Sequence, residues 1–332
     1  MTKRQYIIYA IGVLALLLAS CARDVPEIKE EKSEIAVTTN LTPMRKRANT
    51  IDGISDLQAC DLRIDAYYNG TTTPYLSNEK LHYNNDASAW MFWNSSTSTQ
   101  LHYYWPIEGS VYDPTGVNIT VSSLDFVGCC PYTAPSYITS GPSYSVGAIS
   151  FEATMPTTIV AEATYMADQS SMDEYLVAIA ADKTYADQGV SGVPLEFKHP
   201  LAIIKFSITA ASGTHVQINS ISISDLKTSG TCTYNGSIMT WGSYSGSATM
   251  TIAQTLKIGG TTETSQFLVI PNNYGSKYLT VNATWDDWSD VTISDYGTNV
   301  DFSWEPGRIY TYNLTLDKYG LKVDVTKFTE QW

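Results

Sequence analysis

The sequence predicts an all-β protein built from two antiparallel β-sandwich domains in tandem. Apolar residues recur at every second position in several segments, a pattern that buries one face of a sheet and leaves the other in water. Pairs of turn-forming residues separate these segments. Beyond the first residues no long helical pattern is found, and 332 residues are enough for two sandwiches.

Five segments carry the clearest alternation, namely 35–41, 204–209, 216–223, 279–285 and 310–316. Turns are expected at Asn69-Gly70, Tyr274-Gly275 and Pro306-Gly307. One short helix is compatible with 163–172. The glycine-containing stretch 187–192 is the expected domain boundary. It gives an N-terminal sandwich at 35–190 and a C-terminal sandwich at 191–332.

The start of the chain has the features of an export signal. Lys3 and Arg4 precede an apolar run at 6–18, whose about 13 residues fall short of the roughly 20 that span a bilayer. The run ends in small residues followed by Cys21, which resembles a bacterial lipobox. That resemblance implies a signal peptide at 1–20 and acyl chains on Cys21 that anchor the protein in a membrane. The alternative is an ordinary secretion signal with an incidental cysteine.

Two segments near the start of the chain differ in charge, an acidic one and a basic one. Residues 21–34 are polar and acidic and are expected to form a flexible tether. The segment 44–49 holds the densest basic run, Arg45-Lys46-Arg47, in a chain with a net charge of -13. This overall acidity argues against a nucleic-acid partner.

For the remaining residues that could carry chemistry, we favour a structural interpretation. Four cysteines could form two disulfides, but the adjacent pair would point to opposite faces of a strand, so buried thiols are favoured. They are Cys60, Cys129, Cys130 and Cys232. His199 has no accompanying nucleophile motif, so no catalytic residue, enzyme activity or cofactor is predicted. The cysteines lack zinc-site spacing, and the aspartates at 286–295 lack the calcium-loop pattern, so no metal is predicted either.

Several motifs, in this order, resemble the fimbrillin-like proteins of Bacteroidetes, which are the subunits of type V pili. The motifs are Tyr104-Trp105-Pro106, the strand 124–131, Tyr175-Leu176-Val177-Ala178, the segment 193–202 with its Phe-x-His-x-Leu-Ala pattern, and the Trp-x-Pro-Gly turn within 304–312. The resemblance covers nearly the whole chain after the signal. It implies sandwiches of the transthyretin-like type, exposed on the outer membrane and, after processing, in a fimbria.

The resemblance also implies an assembly route. A trypsin-like surface protease would cut between Arg47 and Ala48, releasing the lipid together with a first strand that plugs a groove. The inward residues of that strand are Ile35, Val37, Thr39 and Leu41. A neighbouring subunit, joined head to tail, would refill the groove by donor-strand exchange. The candidate donor, within 319–332, carries Leu321, Val323, Val325, Phe328 and Trp332. The alternative is that this segment is an ordinary closing strand of its own domain.

Two further interpretations remain open. The chain could be a surface lipoprotein that does not polymerise, either a pilus anchor or a module that binds host or bacterial glycans or proteins. With 23 Tyr and 8 Trp it has aromatic rings that could stack on sugars, and Trp90, Phe92 and Trp93 within 84–93 are the first place to look. The same aromatic rings could instead fill the cores of the sandwiches.

Overall fold

The computed structural model describes residues 33–41, 53–106, 109–112, 116, 118–121, 123–160, 174–188, 191–210, 215–253, 256–258, 261–263, 267–286, 291–317 and 320–331. Cys21, Arg47, Ala48, the segment 163–172 and Trp332 therefore lie outside the described residues. Within the described part of the chain, no helix combines the length and the apolar character needed to cross a membrane.

Strands dominate the described residues. Up to residue 183 they are β1 (Val37–Asn40), β2 (Leu62–Tyr68), β3 (Pro74–Asn84), β4 (Ala89–Asn94), β5 (Thr99–Leu101), β6 (Gly109–Tyr112), β7 (Asn118–Val121), β8 (Leu124–Cys130), β9 (Ile138–Ser145), β10 (Ala148–Thr154), β11 (Thr158–Val160) and β12 (Leu176–Lys183). The helices α1 (Ile54–Gln58) and α2 (Tyr185–Gln188) are short.

The later strands are β13 (Val193–Glu196), β14 (Ala202–Ala210), β15 (His215–Leu226), β16 (Ser229–Tyr234), β17 (Met239–Ser245), β18 (Ala248–Ala253), β19 (Leu256–Ile258), β20 (Thr261–Glu263), β21 (Phe267–Val269), β22 (Asn273–Asp286), β23 (Val291–Ser303), β24 (Arg308–Asp317) and β25 (Gly320–Gln331). The prediction of an all-β fold is confirmed.

The first core lies on one face of a six-stranded sheet with the order β12-β8-β2-β3-β4-β5. The two-stranded sheet of β1 and β13 covers this face. Side chains from both layers meet in one buried cluster, in which Ile64 and Phe126 of the large sheet join Val37 and Leu195 of the small one. The β1–β13 pair is therefore a structural layer of this core.

The second core lies behind β8, which is buried along its whole length. Phe126 and Cys130 of β8 face the first core, whereas Val127 and Cys129 face the second. Successive strand residues point to opposite faces, so one strand can serve both cores only if both of its faces are covered. A four-stranded sheet with the order β17-β16-β10-β9 contributes to the second core, for example through Phe151.

The third core lies between two sheets of the second half. One has the order β11-β18-β15-β22-β23, with β19 beside β15, and the other has the order β20-β14-β24-β25, with β21 beside β14. Phe206, Phe302 and Tyr312 are fully buried between them. Most strand pairs are antiparallel, but β1–β13, β11–β18 and β14–β24 are parallel.

The predicted alternating segments all fall on strands, namely on β1, β14, β15, β22 and β24. The turn at Asn69-Gly70 is confirmed by the positive φ of 74° at Gly70. The turn at Pro306-Gly307 is also confirmed, and the Gly307 N–H donates a hydrogen bond of 2.9 Å to the Leu201 carbonyl oxygen.

The turn predicted at Tyr274-Gly275 is wrong, because both residues lie inside β22. The pairing of β22 with β23 is irregular between Asn273 and Gly275, and Gly275 has a φ of 64°. The glycine thus serves a bulge that bends a continuing strand, and it does not end one.

Strands from the two sides of the predicted domain boundary at residue 190 pair with each other. β13 follows that boundary, yet it pairs with β1 and adds Leu195 and Phe197 to the first core. Likewise, β10 pairs with β16 from the second half. The division into two domains stays a prediction.

Candidate functional site

The candidate site is the groove on the first core that β1 fills. β1 runs parallel to β13, in a register that places Val37 beside Val193 and Thr39 beside Leu195. The N–H of Val193 donates to the Ala36 carbonyl oxygen at 2.8 Å, and the N–H of Phe197 donates to the Asn40 carbonyl oxygen at 2.9 Å. One edge of β1 is therefore bonded along the length of the strand.

The other edge of β1 has backbone contacts near its start. The N–H of Ile35 donates to the Tyr103 carbonyl oxygen at 2.7 Å, and Glu34 forms an isolated bridge with Tyr104. The Glu34 carboxylate also lies 2.7 Å from Nδ1 of His102, where both side chains are about half exposed. Such exposed pairs add little stability, so this edge is held more weakly than the edge along β13.

The predicted inward face of β1 is the buried face. Ile35, Val37 and Leu41 are 2%, 5% and 2% exposed, whereas Ala36 and Thr38 between them are exposed. Burial of each of these three apolar side chains contributes roughly 1.5–3 kcal/mol. The first strand is therefore held mainly by apolar contacts.

Thr39, the fourth predicted residue of this face, is half-buried and contacts β4. Its hydroxyl oxygen accepts a hydrogen bond of 2.9 Å from Nε1 of Trp90. Trp90 also packs edge-on against Tyr83. Trp90 therefore lines the groove, a role that the sequence pattern did not reveal.

The floor of the groove includes Gly128 of β8. This residue lies very close to Leu195 of β13 and to Phe197, which directly follows β13. A Cβ atom added at Gly128 would lie 2.9 Å from Cζ of Phe197 and 3.1 Å from Cδ1 of Leu195. Only a residue without a side chain leaves room for this contact. The close approach positions Leu195 and Phe197 beside β1.

A pocket of about 180 Å³ lies where β1 ends. Its lining includes Leu41 and Phe197 together with Lys198, His199 and Arg308. Lys198 is paired with Glu196, and Nε of Arg308 lies 3.8 Å from the Glu305 carboxylate. The positive charge around the pocket is thus partly neutralised within the chain.

His199 is buried between β13 and β14. Its Nδ1 contacts the carboxylate of Glu174, and the two side chains are only 4% and 2% exposed. This pair joins the segment before β12 to the segment between β13 and β14. Among the described residues there is no group of three or more His, Cys, Asp or Glu side chains that could hold a metal ion.

The aromatic residues proposed for glycan stacking are largely used by the fold. Phe92 is 3% exposed and packs edge-on against Tyr103, while Trp90 bonds to Thr39. Trp93 is half-buried, and its ring lies 5.7 Å from the ring of His82. At least two of the three rings thus serve packing, which weakens the glycan interpretation.

The candidate donor strand is β25, which pairs antiparallel with β24 of the same chain. Leu314 lies opposite Val323, and Leu316 lies opposite Leu321, which packs partly buried on the third core. β25 ends the order of its sheet, so it is an edge strand. Val325 and Phe328 also lie on it, but the environment of their side chains is not described.

Sequence reasoning identified the first strand but missed its partner. The run from Val193 to Phe197 alternates apolar and polar residues, and this signal could have identified β13. Trp90 and Gly128 gave no such signal, because their roles depend on contacts between residues far apart in the sequence.

Comparisons with known proteins agree with this architecture. The chain has a fold similar to that of a fimbrial protein from Bacteroides vulgatus, with a TM-score of 0.59 and 14% identity, over 90% of this chain and 99% of the other. A candidate cell adhesion protein from Bacteroides ovatus gives 0.54 and 13%, over 91% and 98%. Another from Bacteroides uniformis gives 0.51 and 17%, over 90% and 99%.

At these identities the likeness shows a shared all-β fold. No curated protein sequence matches the chain. A sequence model of the fimbrillin-like family, however, matches residues 61–332. The chain belongs to the fimbrillin-like family, as its motifs predicted.

Proposed function

We propose that the chain is a structural subunit, shaft or tip, of a cell-surface fimbria and that it contributes to adhesion. The observation that carries this proposal is the placement of β1. It is a short strand at the start of the described chain, and its apolar side chains fill a groove between the large sheet and β13, which comes much later in the sequence. Such a strand can be exchanged for another without changing the rest of the core.

Removal of β1 would leave a strongly binding surface. The N–H groups of Val193 and Phe197 would lose their acceptors, and the sites of Ile35, Val37 and Leu41 would become apolar cavities. Unpaired edge groups and alternate pockets are what an incoming strand recognises. The emptied groove would therefore favour association with a neighbouring subunit.

The proposed delivery route is supported by the lipobox-like start of the chain and by its basic run. The acyl chains on Cys21 would hold the precursor at the outer membrane while β1 keeps the groove filled. Arg47 lies six residues beyond Leu41, so cleavage between Arg47 and Ala48 would separate both the lipid and β1 from the body. The lipid is then a temporary anchor.

The incoming strand is proposed to be the segment 319–332 of a neighbouring subunit. β25 would leave β24 of its own chain and enter the groove of the next, so that one ladder of hydrogen bonds replaces another. This contact joins different surfaces of the two subunits, and it builds an open filament when the rotation between subunits does not close a ring.

Cleavage of the full precursor by a trypsin-like protease tests the proposal. We expect a new N-terminus at Ala48, followed by ladders of subunits that resist mild detergent. A variant with Arg45, Lys46 and Arg47 all replaced by Gln should stay uncut and monomeric. A precursor that remains uncut would contradict the shaft role and favour an anchor or a non-polymerising lipoprotein.

A peptide of residues 319–332 tests the groove separately. We expect the cleaved subunit to bind it and the uncut precursor to bind it far more weakly, because β1 still fills the groove. A peptide of the same composition in scrambled order is the control, since donor strands are recognised by alternating side chains. Equal binding by the cut and uncut proteins would show that the peptide binds elsewhere.

A further inference from the structure

We propose that Cys60 and Cys130 form a cross-linking site, at which a disulfide oxidant converts their thiols to a disulfide. The four cysteines of the described chain are free thiols. Cys60 and Cys130 differ from the others because their side chains are in hydrogen-bonding contact with each other. The bond would tie the segment after α1 to the end of β8.

The strand register explains why these two residues meet. Arg63 lies opposite Cys129, so the same register brings Leu62 opposite Cys130. Cys60 precedes Leu62 by two residues and packs, partly buried, against the same core cluster that contains Leu62 and Cys130. The N–H of Tyr132 also donates to the Asp61 carbonyl oxygen at 2.7 Å, which holds the two segments together beyond the regular strands.

The local backbone suits a cross-link. Cys60 lies just after α1, where its N–H donates to the Leu57 carbonyl oxygen at 3.1 Å, and it precedes the start of β2. A residue between elements can shift by the small amount that bond formation requires, whereas Cys130 is fully buried at the end of β8, where it lies opposite Leu176 of β12.

The two thiols have opposite environments. Cys60 is half-buried, and the hydrogen bond from Cys130 lowers its pKa against the effects of burial and of nearby carboxylates. Cys130 is fully buried, and its hydrogen bond to Cys60 and its burial raise its pKa. A more accessible thiol with a lowered pKa can attack, and a buried thiol beside it can resolve, which suits thiol–disulfide exchange.

The other cysteines do not share this arrangement. Cys129 faces the second core beside Tyr175, and burial raises its pKa to about 12. Cys232 is fully buried, and burial raises its pKa as well. Neither thiol should react in the folded protein.

The reaction balances through a mixed disulfide. The Cys60 thiolate attacks one sulfur of the oxidant RSSR and expels RS⁻. Cys130 then gives up its proton to water, and its sulfur attacks the sulfur of Cys60 and expels the second RS⁻. The protein loses two electrons and two protons, and the oxidant is reduced to two thiols.

Peptide mapping of the uncut full chain tests the site without any fimbrial assembly. The reduced protein is incubated with oxidised glutathione in native buffer, and remaining thiols are then alkylated. We expect a peptide that links Cys60 to Cys130, with Cys129 and Cys232 alkylated. A chain in which Cys60 and Cys130 both stay thiols, or in which Cys60 stops as the glutathione adduct, would overturn the proposal.

Single variants test the order of events. In Cys130→Ala, Cys60 should accumulate as the glutathione adduct, and its alkylation at neutral pH should slow several-fold because the hydrogen bond is lost. In Cys60→Ala, Cys130 should stay a thiol. Cys232→Ala is the matched control and should still form the cross-link. An unchanged alkylation rate in Cys130→Ala would contradict the activating contact.

Discussion

Nε1 of Trp90 donates a hydrogen bond of 2.9 Å to the hydroxyl oxygen of Thr39. This bond joins β4 of the large sheet to β1, the strand that the proposed assembly removes. The indole is half-buried in the same cluster as the apolar face of β1. Trp90 is therefore placed to report whether the groove is filled.

Replacement of Thr39 by Val should weaken the seating of β1. The substitution keeps the shape of the side chain but removes the acceptor of the Trp90 N–H, at an expected cost of about 1 kcal/mol. Urea unfolding measures this loss, and Thr233→Val at an exposed position of β16 is the control. Tryptophan fluorescence should also shift to the red when β1 leaves, and the shift should disappear in Trp90→Phe. An unchanged spectrum on cleavage and release of β1 would show that Trp90 does not sense the groove.

The sequence predicted the strands well because alternation is a local property. Residues 35–41 show which side chains of β1 face inward, and burial confirms Ile35, Val37 and Leu41. The parallel partner of β1 lies more than 150 residues away, and no local pattern specifies that pairing. The turn expected at Gly275 was wrong for a related reason, since a glycine with positive φ serves a bulge as well as a turn and only the neighbouring strand distinguishes them.

Val37→Asp should unseat β1 in the uncut precursor. The carboxylate would have to enter a site where Val37 is 5% exposed, and an unpaired buried charge costs more than the strand gains from its other contacts. We expect a loss of about 3 kcal/mol in stability by urea unfolding and faster cleavage of the segment before β1 in limited proteolysis. Ala36→Asp adds the same charge on the exposed face and should change little. Equal effects of the two variants would mean that β1 is not seated as described.

Asp61 should contribute a pH-dependent increment of stability. Partial burial raises the pKa of its carboxyl, but hydrogen bonds with Lys80 and His82 outweigh burial, so the pKa is lowered. A carboxyl with a lowered pKa stabilises the folded state above its ordinary value of about 4, and this contribution is lost as the pH falls through the lowered pKa. Asp61→Asn should therefore be less stable at pH 7, by below about 1 kcal/mol because the site is partly exposed. Chemical unfolding of both proteins across the acid range checks this, and a constant difference down to about pH 2 would contradict it.

Gly128→Ala should disturb the groove through its floor. The added Cβ would lie 2.9 Å from Cζ of Phe197, a ring that is 1% exposed and has little freedom to move. Crowding of this kind in a packed core costs about 1–3 kcal/mol, and displacement of Phe197 would also move its N–H away from the Asn40 carbonyl oxygen of β1. Gly242→Ala is the matched control, because an added Cβ there meets nothing within 4 Å. Thermal unfolding of both variants, together with the rate at which β1 is released after cleavage, measures the effect. If Gly128→Ala were as stable as Gly242→Ala and kept β1 as firmly, the close approach of β8 to Phe197 would not be what shapes the groove.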